Sequence, residues 1–206
     1  AKRIFEQVKS HVENLEANLN RFYPDSPLAQ LCKTEANKWI FVPDEIWDIL
    51  TICYDFYQIS SGAFDITVAP LVELWEEKVN PGPEEITETR ERCGFHHVEF
   101  DFENQKIRFL IEGIAFDFDG IQKGLALDNL KLMLEEMDIK DAIVSFGEDA
   151  VLALGFHPSG SEWPIGIRNQ MNPMDFVHVF ATSNQTVTSV GTVEKDGVQD
   201  ELTRTY

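Results

Sequence analysis

The sequence predicts an α+β fold, and two observations carry that prediction. Apolar residues recur at helical spacing through the first third of the chain, whereas later segments alternate or cluster as short strands. The order is helices, then strands, one long helix, then more strands, which is not the regular alternation of a parallel α/β sheet. With 206 residues and 43% apolar residues, the chain suits one domain, or one domain with a subdomain, with a core of ordinary size.

The elements follow in chain order. Ile4, Val8, Val12, Leu15, Leu19 and Phe22 share one face, so residues 3–21 read as an amphipathic helix. Tyr23-Pro24-Asp25-Ser26-Pro27 ends it in a turn. Residues 39–42 read as a short strand. Pro43-Asp44 opens a second helix with Ile46, Leu50, Cys53 and Tyr57 inward, stopped by Ser61-Gly62. Residues 70–78 and 84–93 read as further helices around the Pro81-Gly82-Pro83 loop. Residues 98–102 and 106–110 flank Glu103-Asn104-Gln105 as a hairpin. Residues 114–118 read as a strand leading into a loop, and Ile121, Leu125, Leu130, Leu134 and Met137 mark the helix after it. Residues 142–146, 151–154, 165–167, 176–180 and 186–190 complete the strand set.

Composition excludes some partners. A formal net charge of −19 repels nucleic acid and anionic membrane surfaces, so no nucleic-acid partner is expected. A phosphate-bearing ligand would need a locally positive pocket or a metal. Cys32, Cys53 and Cys93 form no CxxC pair and read as small buried hydrophobes. The five histidines do not pair at metal spacing; His96 and His97 would face opposite ways on a strand.

The chemistry concentrates in Phe116-Asp117-Phe118-Asp119-Gly120-Ile121-Gln122-Lys123-Gly124. Carboxylates, glycines and a lysine meet at the start of a helix. Free N–H groups there favour anions, and bare glycines let a ligand approach the backbone. One reading is an anion or metal site. Another makes Asp119 a helix N-cap and Asp117 a solvated carboxylate. A third is the Asp-x-Asp nucleophile of haloacid dehalogenase phosphatases, with Asp117 phosphorylated. An EF-hand is ruled out, because Gly120 is fourth from Asp117 rather than sixth and the twelfth residue is Asp128 rather than glutamate. The phosphatase reading conflicts with a position more than a hundred residues into the chain and with the absence of strand–helix alternation.

A second stretch, Gly62-Ala63-Phe64-Asp65-Ile66-Thr67-Val68-Ala69-Pro70-Leu71-Val72-Glu73-Leu74-Trp75, is a small-residue turn followed by a Pro-started helix. Taken with Asp117 through Asp128, it resembles the ApbE family, the FAD:protein FMN transferases. Those proteins carry Gly-Ala-Phe-Asp-x-Thr-Val-x-Pro-Leu-Val-x-Leu-Trp and Asp-Leu-Gly-Gly-Ile-x-Lys-Gly segments. Leu19 through Ser26 is similar to the family's aromatic turn after its first helix. Phe146-Gly147-Glu148-Asp149, Trp163 through Ile167 and Thr188-Ser189-Val190-Gly191 are similar to its later segments, in the same order.

The resemblance implies a T-fold-like α+β architecture: mixed or antiparallel sheets with packed helices and a small helical subdomain. It implies FAD bound with Mg²⁺ and FMN transfer to a threonine of an acceptor flavoprotein subunit, with AMP released. Carried over by position, Phe22 stacks on the flavin ligand. Ala63, Phe64 and Asp65 line its adenosine or ribityl part. Asp117 and Lys123 hold polar parts of the dinucleotide, and the Gly120 carbonyl faces the metal. Asp200 and Thr203 supply metal side-chain ligands on one helix face. Family habit implies the bacterial cell envelope or periplasm, with a membrane anchor outside this sequence.

The departures are Asp119 for the first glycine of Gly-Gly-Ile, Glu148 for the second glycine of Gly-Gly-Asp, and Phe22 for a frequent tyrosine. The family's leading strand and its His-Ile-x-x-Pro-x-x-Gly segment are not seen. The expectation is therefore a single ApbE-like domain over 1–206, incomplete at the N-terminus and in the C-terminal region, with residues absent near 197–199 and after Tyr206. These departures leave a flavin-binding or scaffold protein without catalysis as the alternative.

Overall fold

The structure is a computed structural model describing residues 2–147, 150–169, 172 and 174–188. Packing divides the chain at Gly120/Ile121 into two compact units.

In the first unit, helix α1 (Lys2–Leu19) carries the predicted stripe, but among its described side chains only Leu19 is buried. The expected turn at 23–27 leads directly into α2 (Pro27–Cys32), which sequence reading missed. Its signals were present. Pro27 occupies the first turn, and Ser26 caps it, with Oγ accepting from Ala29 N at 3.0 Å and donating to Asn20 O at 2.7 Å. Strand β1 (Ile40–Phe41) follows, then α3 (Asp44–Ile59) with Ile46, Ile49, Leu50 and Cys53 buried. Helices α4 (Ala69–Glu77) and α5 (Pro83–Arg90) come next, after a 3-10 turn at Ile66–Val68.

Strands β2 (Val98–Asp101) and β3 (Lys106–Phe109) form the predicted hairpin, and β1 adds to the other edge of β3. Both pairings are antiparallel, with Phe100 opposite Ile107 and Ile40 opposite Ile107 across the two edges. Phe95, Ile107, Phe109, Ile114 and Phe116 fill the core beneath this sheet, with Leu28, Ile46 and Leu50. Cys53 is buried there, and burial pushes its thiol up to about 12, as expected of a small core residue rather than a reactive one.

Two expectations are corrected. Residues 114–118 belong to no strand. Ile114, Phe116 and Phe118 are buried with period two, yet the backbone lies against side chains and the 3-10 turn rather than a sheet edge. Asp117 N donates to Ile66 O at 2.7 Å and Phe116 N to Cys32 Sγ at 3.5 Å. His96 and His97 sit on a 3-10 turn (Phe95–His97), and their ring centroids are 3.9 Å apart, so they do not point to opposite sides.

The second unit contains α6 (Gln122–Glu136), with Leu127, Leu130 and Leu134 buried. It packs on β5 (Ala150–Leu154) and β8 (Gln185–Thr188). With β4 (Ala142–Phe146) these form an antiparallel sheet of order β4-β5-β8. Strands β6 (Trp163–Arg168) and β7 (Phe176–Thr182) make an antiparallel ribbon. Trp163 Nε1 donates to Leu154 O at 2.9 Å, tying the ribbon to β5.

Candidate functional site

Three of the sequence segments singled out above meet at one side chain, Arg21. The residue lies just beyond α1, after Asn20, and its side chain is only 9% exposed. Nη1 reaches Glu73 Oε1 at 3.0 Å and Nη2 reaches Glu76 Oε2 at 3.3 Å, both on α4. Nε lies 3.7 Å from Asp117 Oδ2, beyond hydrogen-bonding distance, and has no hydrogen-bond partner among the described residues. The guanidinium also lies over the Phe22 ring, 4.1 Å from its centroid. A buried cation is stable only if opposite charges offset its desolvation, and here three carboxylates do so. The cluster is net negative and offers no spare positive charge to an anion.

Asp117 is held on three sides. Its N–H bonds Ile66, Oδ1 accepts from Asp119 N at 2.8 Å, and Oδ2 faces Arg21. The reading of Asp117 as solvated is corrected, since its side chain is 9% exposed. The reading of Asp119 as an N-cap is corrected too. Helix α6 begins at Gln122 after Ile121, which gives it no side-chain cap, and the first turn holds no acidic residue. A phosphatase nucleophile needs Asp117 at the end of a sheet strand; the segment is in no sheet, and the strand pairs among the described residues are antiparallel.

Phe22 is 60% exposed, and its N–H donates to Asn20 Oδ1 at 2.9 Å. Ala63 is exposed in the turn after α3, where Gly62 has φ 84° and donates to Tyr57 O at 2.9 Å. Phe64 is half-buried, donates its N–H to Ser60 Oγ at 2.9 Å and meets Phe56 edge-on at 5.8 Å.

Asp65 is committed to internal bonds. Oδ1 accepts from Thr67 N at 2.8 Å and Thr67 Oγ at 2.7 Å, and Oδ2 accepts from Phe95 N at 3.1 Å. Thr67, fully buried, accepts in turn from Gly94 N. A carboxylate has about four acceptor positions, so Asp65 retains little capacity beyond this network.

Gly120 closes the first unit, and Lys123 lies exposed in the first turn of α6 in the second. Neither Gly120 nor Gly124 has a left-handed backbone, and a Cβ at either would meet nothing within 4 Å. Neither packing nor dihedral strain explains these glycines. Among the described residues no three His, Cys, Asp or Glu converge as a metal cluster. Asp200 and Thr203 lie outside the described residues, as do Glu148, Asp149 and Ser189 through Gly191. The expected donors, a backbone carbonyl, a carboxylate and a hydroxyl, are all oxygen and suit a hard cation.

Sequence reading missed Arg21, Glu73, Glu76 and Thr67 as organising residues. Arg21 left one signal: an arginine directly before the exposed aromatic, in a chain with 17 Lys and Arg against 36 Asp and Glu.

A family model described as the ApbE family matches residues 2–203. The FAD:protein FMN transferase of Haemophilus influenzae is 23% identical over 176 residues, covering 81% of this chain and 51% of that protein. The protein of the same name from Escherichia coli K12 is 24% identical over 187 residues, covering 87% of this chain and 53% of its own length. The chain thus spans about half the length of these curated relatives. The crystal structure of the ApbE protein from Thermotoga maritima superposes with a TM-score of 0.85 at 25% identity, covering 96% of this chain and 66% of that one. The flavin transferase ApbE from Vibrio cholerae gives a TM-score of 0.84 at 21% identity, covering 96% and 65%, which establishes the shared α+β fold.

Proposed function

The chain belongs to the ApbE family, and from that premise we propose that the protein binds FAD with a divalent metal and transfers FMN to a threonine of an acceptor flavoprotein subunit. In this reaction the threonine oxygen bonds to the phosphorus on the FMN side. The bond to the bridging oxygen breaks, and AMP leaves with that oxygen; the hydroxyl proton is lost to solvent or to a base. Charge neutralisation and alignment are what such phosphoryl transfers demand.

The observation carrying the proposal is the joint at Arg21. It brings the aromatic turn, the α4 segment and the Asp117 loop, all family segments, to one place. Phe22 offers an open aromatic surface of the kind a flat ring system stacks on. Ala63 and Phe64 present a backbone turn beside the half-buried Asp65. Gly120 and Gly124 leave backbone bare for a close ligand, and Lys123 adds positive charge at an α6 terminus that has no side-chain cap. The carboxylates around Arg21 disfavour phosphate, so a cation is needed to offset them. Mg²⁺, held by the Gly120 carbonyl with Asp200 and Thr203, would supply that charge. A bacterial envelope location, with an anchor outside this sequence, belongs to the same proposal; cell fractionation that leaves the protein in the cytosol would count against it.

The second reading, flavin binding without transfer, draws on Asp119. It adds a side chain and a charge where the family's glycine leaves the backbone bare, and its N–H is already bonded to Asp117. Incubating the full-length protein with FAD and Mg²⁺ and following AMP separates the two. Metal-dependent AMP release, lost in Asp117→Ala and Lys123→Ala, is expected. Binding of FAD with no AMP, even when an acceptor is supplied, would favour the second reading.

A further inference from the structure

Arg21 lies outside the residues that the resemblance assigns to FAD, yet it contacts two of them. Its guanidinium covers one face of Phe22 at 4.1 Å, while the ring stays 60% exposed. It also stands beside Asp117, with Nε 3.7 Å from Oδ2. That spacing closes no hydrogen bond, and Nε has no other partner among the described residues. Asp117 therefore does not dictate where the guanidinium sits. Glu73 and Glu76 pin its two terminal nitrogens from α4, and the aromatic face fixes its remaining side. Arginine suits this task because its charge is delocalised over a flat group able to stack and to pair at its edge together. A lysine could answer the carboxylates but offers no plane to a ring.

We infer that Arg21 is a positioning residue, whose guanidinium holds the Phe22 ring as a one-faced stacking platform and places it against Asp117. The inference rests on the flavin reading above. With one face of the ring taken by the cation, only the other is open to a ligand, so a stacked ring system has a single side on which to lie. The cation also fixes the ring before binding, which lowers the ordering cost that the ligand would otherwise bear.

The test is a double-mutant cycle on the full-length protein, read by quenching of FAD fluorescence and by the circular dichroism of bound FAD. Arg21→Lys is expected to weaken FAD binding about three- to tenfold and to change the dichroism. In a Phe22→Leu background the same change should matter less than about twofold, because the platform is already gone. In transfer assays the loss should fall on KM rather than kcat. Equal effects of Arg21→Lys in both backgrounds, or none in either, would overturn the inference while the flavin reading stands. Parental protein that binds no FAD would remove the flavin reading, and the inference with it. Should Arg21→Lys fail to fold, NMR of the parent decides. Arg21 side-chain protons shifted by the Phe22 ring current, with the shift lost in Phe22→Leu, support the placement; unshifted protons refute it.

Discussion

Arg21 Nε and Asp117 Oδ2 lie 3.7 Å apart, and each side chain is 9% exposed. The two are not equal partners. Removing the Asp117 charge leaves Arg21 with Glu73 and Glu76. Removing Arg21 leaves a buried carboxylate beside two others with no cation. Asp117→Asn, which can still accept from Asp119 N, should therefore cost roughly 1 kcal/mol or less, and Arg21→Met about 2–3 kcal/mol. Urea denaturation of both variants gives the ranking, and the reverse order would contradict this account of the cluster.

Thr67 ties the family's second segment to the turn before β2. Its hydroxyl donates to Asp65 and accepts from Gly94 N, and the side chain is fully buried. Thr67→Val keeps the shape but strands the buried Gly94 N–H and removes a bond from Asp65. The expected loss is about 1–3 kcal/mol, with Thr67→Ser retaining more stability. Thermal or urea unfolding of both variants is the check. A valine variant as stable as the parent would mean that the network contributes nothing net.

How far these contacts were legible in the sequence depends on their range. The long helices, the 98–109 hairpin and the strands of the second unit follow from local periodicity, which a linear reading captures. The segment at 114–118 alternates as a strand does and buries the same face, but among the described residues no strand pairs with it to complete a ladder. Periodicity reports burial, not hydrogen-bond partners. Asp117 and Phe22 were accessible because they sit in segments whose whole pattern matches the family. Glu73 and Glu76 reach Arg21 from more than fifty residues away, which spacing cannot reveal. The bonds by which the Asp65 carboxylate holds Thr67 and Phe95 are likewise invisible to a linear reading where they reach across thirty residues.

The His96–His97 pair predicts a pH response. Burial, with the neighbouring His96 as the smaller cause, lowers the pKa of His97 from its ordinary 6.5. A group with a depressed pKa binds protons more readily in the unfolded chain. Its contribution is fully present above about pH 6.5 and is lost as pH falls through the folded value. Melting temperature followed from pH 7.5 down to 5 should therefore fall more steeply in the parent than in His97→Gln. The difference between the two isolates this group from the acidic surface, whose self-repulsion relaxes over the same range. Parallel curves would show that the pair does not couple to folding.

Gly124 separates folding from ligand binding most cleanly. It lies in the first turn of α6, where glycine is a poorer helix former than alanine, and no neighbour would obstruct a Cβ. On stability alone, Gly124→Ala should gain about 0.5–1 kcal/mol. The glycine is then explained only if a ligand needs the bare backbone. The expected outcome is a more stable protein with weaker FAD binding, by about tenfold if one close backbone contact worth about 1.4 kcal/mol is lost. Gly120→Ala should behave alike in binding, since its Cβ also meets open space, but without the helical gain. Measuring unfolding and FAD affinity on the same samples distinguishes the cases. A Gly124→Ala protein that is more stable and binds FAD as the parent does would remove the glycine from the site. A less stable one would mean that packing, not the ligand, selects it.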